Sequence, residues 1–170
     1  MKNIVLIGFM ATGKTSVGRL LARRLGRCFV DVDERIEQES GMSIAEMFAR
    51  HGEDCFREKE REMIARVSRF RNAVIATGGG VVLFPENMNL LRATGIIIAL
   101  TASAEAILER AGRRNTRPLL ERPDREQFIA DLLGKRSGLY RQADYSVDNE
   151  SCSPRETVEK IVALLKQEGK

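Results

Sequence analysis

The stretch Gly8-Phe9-Met10-Ala11-Thr12-Gly13-Lys14-Thr15 limits the fold of this chain more than any other. It fits G-x-x-x-x-G-K-[ST], a pattern that carries chemistry only where a strand runs into it and a helix runs out. Both flanks are present. Asn3-Ile4-Val5-Leu6-Ile7 is an apolar run of strand length, and Val17, Leu20, Leu21 and Leu25 recur at helical spacing with Arg19, Arg23 and Arg24 opposite. In that context the backbone N–H groups of residues 11–16 (Ala11, Thr12, Gly13, Lys14, Thr15 and Ser16) and the helix N-terminus attract phosphate oxygens. Lys14 is expected to reach the terminal phosphates and the Thr15 hydroxyl to ligate Mg²⁺, so the cofactors expected from the loop are a nucleoside triphosphate and Mg²⁺. A glycine-rich turn that binds nothing would not need strand, loop and helix in register.

The 170 residues suffice for one domain with a substantial core, and 43% hydrophobic with 31% charged residues is ordinary for a soluble protein. No apolar run approaches the ~20 residues that span a bilayer, and the first apolar run leads straight into the phosphate loop instead of a cleavage site. A cytoplasmic protein with no membrane partner is expected. Three cysteines without CxxC spacing (Cys28, Cys55, Cys152) point to reduced thiols, not a disulfide framework or zinc site. Net charge is +4, but seven Phe, two Tyr and no Trp supply no nucleic-acid signature. Anionic small molecules account for the arginines equally well, and nothing demands more than a monomer.

Further along, strands and helices alternate, predicting an α/β fold with one parallel sheet. Cys28–Asp33 reads as a strand whose aspartates enter at the carboxyl end, the edge where open sheets bind ligands. On a strand, Asp31 and Asp33 would share a face. Helix is expected over residues 34–50, broken at Ser40-Gly41, and over about Glu53–Phe70. Short strands are expected at Ala73–Ala76, Gly95–Leu100 and Asp144–Asp148, with helices around Glu86–Arg92, 103–112, Asp124–Tyr140 and at the C-terminus.

Five groups beyond the phosphate loop can carry chemistry. Asp31 and Asp33 are either solvated helix-capping carboxylates or, respectively, the carboxylate nearest Mg²⁺ and an acceptor for a substrate hydroxyl proton. Arg57 and Glu60 are three apart on a helix: either a surface ion pair or a guanidinium fork for a substrate carboxylate, oriented by Glu60. Gly78, Gly79 and Gly80 follow a strand directly, and three successive glycines suggest that a ligand comes close to the backbone. Residues 110–125 hold six arginines against one Glu and one Asp, interrupted by Pro118 and Pro123. Such charge suits a lid closing over phosphates, with Arg117 set against the transferring group. Arg136 falls on the apolar stripe Ile129, Leu133, Arg136, Tyr140, and an inward arginine needs an anionic partner. The single histidine, His51, precedes Gly52 and reads as a helix-terminal residue.

Taken in order, the phosphate loop, Asp31-Val32-Asp33, Phe56-Arg57-x-x-Glu60, Gly78–Gly80, Arg117-Pro118-Leu119-Leu120 and Arg136-x-x-x-Tyr140 resemble the shikimate kinase family over essentially the whole chain. The resemblance implies a three-layer fold like that of nucleoside monophosphate kinases, with a five-stranded parallel sheet of order 2-3-1-4-5. It implies transfer of the ATP γ-phosphoryl group to the 3-hydroxyl of shikimate. Carried over, Lys14, Asp33 and Arg117 are catalytic, Arg110 lies beside the adenine, and Thr15 with Asp31 serves the metal. Asp33, Arg57, Gly78–Gly80 and Arg136 hold shikimate. A substrate-binding region of about 33–61 and a lid of about 111–123 follow within a single domain spanning 1–170. The chain departs from the family pattern at Ala11, where Gly is usual, at Phe9, where Pro is common, and at Gly138, which replaces a Pro. Two other readings remain: a related small-metabolite kinase of the gluconate type, and a nucleotide-dependent switch.

Overall fold

The structure, a computed structural model, describes residues 1–112 and 124–168. The strands are β1 (Asn3–Gly8), β2 (Cys28–Asp31), β3 (Ala73–Ala76), β4 (Gly95–Thr101) and β5 (Tyr145–Asp148). They form one sheet in the order β2-β3-β1-β4-β5, with every pair parallel. The helices are α1 (Lys14–Leu25), α2 (Val32–Ser40), α3 (Ile44–Val67), α4 (Pro85–Thr94), α5 (Ala104–Gly112), α6 (Arg125–Tyr140) and α7 (Pro154–Glu168).

Burial on both faces explains why the strands read as continuous apolar runs. Successive side chains of β1 enter opposite layers. Ile4 and Leu6 join Val17, Leu21, Val158 and Ile161 beneath α1 and α7. Val5 and Ile7 join Ile36, Ile64, Leu91, Ile107 and Ile129 beneath the other helices. β4 divides in the same way, with Ile97 and Ala99 in one layer and Ile98 and Leu100 in the other. Asn3 fixes the start of the register, its amide donating to the Phe70 carbonyl at 2.7 Å and accepting from the Ala73 N–H at 3.0 Å.

Chain connectivity places β1 centrally, between β3 and β4, so the phosphate loop emerges at the carboxyl edge where the order of the sheet changes direction. Two expected elements differ. The second strand stops at Asp31, because the Asp31 carboxylate accepts the Glu34 N–H at 3.2 Å and caps α2. Asp33 therefore stands in the first turn of a helix, and the two aspartates do not alternate along a strand as expected. α3 opens behind the capping box Ser43–Glu46, and its two helical parts meet at the non-helical Gly52 (φ 79°, ψ 174°), between the helix expected to residue 50 and the one expected from Glu53. It ends at Val67, leaving Phe70 41% exposed beyond it.

Candidate active site

The loop after β1 closes on itself before it can meet a ligand. The Thr12 hydroxyl donates to the Phe9 carbonyl at 2.8 Å, and the buried Lys14 ammonium donates to the Gly8 and Phe9 carbonyls at 2.8 and 2.9 Å. Gly13 enters α1 in the left-handed conformation (φ 87°), and α1 has neither a side-chain cap nor an acidic residue in its first turn. Its leading N–H groups and positive dipole end are thus left for an anion. Ala11 adopts φ 60°, the small left-handed region open to L-residues at a cost.

The Thr15 hydroxyl donates to Asp31 Oδ2 at 2.7 Å. One hydroxyl beside one carboxylate suits Mg²⁺, which takes few protein ligands and completes its octahedron with water and phosphate oxygens. Among the described residues no group of three His, Cys, Asp or Glu side chains could hold a metal alone. The cap of α2 and the carboxylate facing the phosphate loop are therefore the same residue.

On one side of the loop lies a cavity of about 230 Å³ bordered by Ala11, Thr12, Gly13, Ser16, Arg110 and Asn149. Asn149, just beyond β5, is 3% exposed, and its amide donates to the Thr12 carbonyl at 2.6 Å. Its Oδ1 accepts from Arg110 Nη1 at 3.3 Å, while Arg110 Nη2 donates to the carbonyls of Asn149 and Glu150 at 2.7 and 2.9 Å. Cys152 and Pro154 complete the outer wall.

On the other side stand the acceptor residues expected from the sequence. Arg57 Nη1 donates to Glu60 Oε2 at 2.8 Å, and Arg57 Nε and Nη2 donate to Glu53 Oε1 at 3.1 and 2.8 Å. Glu60 is fully buried, and its Oε1 accepts no hydrogen bond among the described residues. Burial pushes the Glu60 carboxyl above its ordinary value, opposed by Arg57, reinforced by Asp33 and opposed again by Arg136. Burial works to lower Arg57, but the attraction of Glu60 and Glu53 outweighs it and raises the guanidinium.

Each of the three glycines has a separate steric reason. A Cβ on Gly78 would lie 2.7 Å from Glu60 Oε1 and 2.8 Å from Asp33 Oδ1. On Gly80 it would collide with the Arg57 guanidinium, and on Gly79 it would approach the Met10 nitrogen at 3.2 Å. None of the three has positive φ, so close approach, not turn geometry, excludes a side chain. The sequence suggested a ligand against these glycines; in the structure the Glu60 and Asp33 carboxylates lie against Gly78, the Arg57 guanidinium against Gly80 and the phosphate-loop backbone against Gly79.

The Tyr140 hydroxyl donates to the Gly79 carbonyl at 2.6 Å. Burial pushes this phenol up to about 12, against the opposing effects of Arg136 and Arg57. Arg136 acts electrostatically on both Tyr140 and Glu60, so the last turns of α6 reach the same cluster. Asp33, Arg57, Gly78–Gly80 and Arg136 thus meet around Glu60 and Tyr140. Arg117 and the expected lid, residues 111–123, fall outside the described residues, except for positions 111 and 112, which complete α5.

Sequence reasoning missed Asn149, Glu53 and the hydroxyl of Tyr140. Asn149 follows a parallel strand at the ligand-binding edge, and Glu53 is one helical turn before Arg57; both positions were open to inference. Nothing local in the sequence signals the Tyr140–Gly79 bond, which joins residues 61 apart.

Comparison with known proteins identifies the family. The profile of the family described as shikimate kinase matches residues 10–166. A shikimate kinase of Thermodesulfovibrio yellowstonii is 52% identical over 95% of this chain and 94% of its own length. Another, of Pelotomaculum thermopropionicum, is 48% identical over 98% and 97%. The solved structure of shikimate kinase from Acinetobacter baumannii in complex with shikimate superposes with a TM-score of 0.95 at 37% identity, covering 99% of this chain and 94% of that one. This chain belongs to the shikimate kinase family.

Proposed function

We propose that the chain transfers the γ-phosphoryl group of ATP to the 3-hydroxyl of shikimate, giving shikimate 3-phosphate and ADP for aromatic amino-acid biosynthesis. The observation that carries this reading is the joining of two half-sites through one loop. A phosphate loop with an uncapped helix N-terminus stands next to a half-buried cluster of two arginines and two carboxylates, with Glu60 fully buried, and a glycine wall. Arg57 and Arg136 suit a carboxylate, and Asp33 with the open Glu60 Oε1 suits substrate hydroxyl groups.

In this reading Lys14 turns from the Gly8 and Phe9 carbonyls to the β- and γ-phosphates, and residues 11–16 cradle them. Thr15 and Asp31 would hold Mg²⁺, which supplies neutralisation of phosphate charge when bound. Asp33 orients the attacking hydroxyl and accepts its proton. Arg110 flanks the nucleotide base, and Arg117 neutralises the transferring group from a lid of about 111–123. Residues of about 33–61 form the substrate-binding region of a single domain, which works as a cytoplasmic monomer on small molecules without nucleic acid or membrane. No described helix is long and apolar enough to cross a membrane, and the three cysteines are free. Most of the rate would come from positioning and charge neutralisation.

Phosphorus NMR of the product, with ATP and shikimate as substrates, tests this reading. A phosphomonoester coupled to the proton at C3 is expected, and ester at another carbon contradicts it. Asp33→Asn should retain both substrates in a binding titration while kcat falls at least ~10²-fold. Unchanged kcat removes Asp33 from proton transfer.

A further inference from the structure

Two carboxylates of opposite character hold the Arg57 guanidinium. Glu60 is fully buried, while the side chain of Glu53 is 57% exposed. Glu53 nevertheless takes the Nε and Nη2 hydrogens through its single oxygen Oε1. That edge is one of the forks a guanidinium presents to a carboxylate, so a side chain of the protein already sits on a face that an anionic substrate can use.

We propose that Glu53 is a displaceable stand-in for the substrate's carboxylate. The inference rests on the reading that Arg57 binds that carboxylate. Glu60 cannot be the partner that yields, because moving a buried carboxylate off a buried guanidinium leaves both uncompensated. Glu53 can yield, since its own side chain is more than half exposed, the freed carboxylate returns to water, and Arg57 keeps Glu60 as a partner. The backbone beside it is suited to the movement. Gly52 occupies a φ/ψ region that is essentially glycine-only, and no atom lies within 4 Å of where its Cβ would be.

Exchange of one carboxylate for another keeps the charge around Arg57 constant. With no substrate present, Glu53 keeps the fork charged and aimed. An uncharged analogue would have to remove Glu53 without replacing it, so the device selects for an anion. A purely orienting Glu53 would act in the opposite direction, and the sign of one measurement separates the two.

Calorimetric titration of shikimate into wild type, Glu53→Gln and Glu53→Ala provides that sign. Both variants are expected to bind shikimate roughly two- to five-fold more tightly, the scale of an exposed ion pair, with ATP binding unchanged. Their preference for shikimate over its methyl ester should narrow, and in an Arg57→Ala background the Glu53 effect should vanish. Unchanged or weaker shikimate binding in both variants, or tightening that persists without Arg57, overturns the stand-in role. Absence of wild-type binding overturns the proposed function and this inference with it, whereas wild-type binding without tightening overturns this inference alone.

Discussion

The Asn149 amide donates to the Thr12 carbonyl at 2.6 Å, tying the segment after β5 to the phosphate loop 137 residues earlier in the chain. The same side chain accepts from Arg110, so the end of α5, the segment after β5 and the loop form one hydrogen-bonded unit beside the cavity proposed for the nucleotide.

Asn149→Ala breaks that unit and leaves buried polar groups unmet, at a cost of about 1–3 kcal/mol. The ATP KM is expected to rise several-fold, while the shikimate KM holds. Steady-state kinetics in each substrate check this, and an equal rise in both constants would assign Asn149 to general stability.

Ala11→Gly should stabilise the protein. The left-handed conformation at φ 60° costs an L-residue about 1–2 kcal/mol, while the added freedom of glycine in the unfolded chain returns about 0.5–1 kcal/mol of that. A net gain of roughly 0.5–1 kcal/mol in urea unfolding is expected. A loss would mean that the Ala11 methyl makes a packing contribution larger than its strain.

Tyr140→Phe keeps the buried ring and deletes the hydrogen bond to Gly79. About 1 kcal/mol of stability should be lost, and the shikimate KM should rise more than the ATP KM. Because the phenol lies at about 12, the difference between the two proteins should not vary between pH 6 and pH 9. A pH-dependent difference over that range would contradict the placement of this proton.

Glu60 gives the clearest pH signature. Its folded-state carboxyl lies above the ordinary value of 4.5, so the folded protein holds that proton more tightly than the unfolded chain. The associated stability is fully present below 4.5 and is lost as pH rises through the folded value. Relative to Glu60→Gln, wild type should therefore become less stable with rising pH across that window. Chemical denaturation at a series of pH values measures the trend, and a difference moving the other way would show that Arg57 outweighs burial.

Sequence pattern was sufficient where one physical signal dominated. The apolar runs of β1 and β4 are buried on both faces, and the glycines and Lys14 of the phosphate loop follow directly from its motif. The stripe on α6 likewise put the half-buried Arg136 on the side of Tyr140, where it acts on Glu60. Competition between two local preferences was harder to read. At Asp31 the strand pattern continued in the letters through Val32, yet the carboxylate's ability to cap a helix ended the strand. The double role of Asp31, cap and partner of Thr15, is visible only once β2 and α1 are side by side. Contacts such as Tyr140–Gly79 and Asn149–Thr12 depend on tertiary proximity, which spacing does not encode.

In the proposed reading Arg57, Arg136, Asp33 and Glu60 together select an acceptor that carries both a carboxylate and hydroxyl groups. Steady-state ADP release with shikimate, gluconate and nucleoside monophosphates in parallel tests that selectivity most directly. The account predicts that kcat/KM for shikimate exceeds the others by at least ~10²-fold, the scale of discrimination when buried polar groups would otherwise go unpaired. Equal or faster turnover of gluconate or of any nucleotide would contradict it.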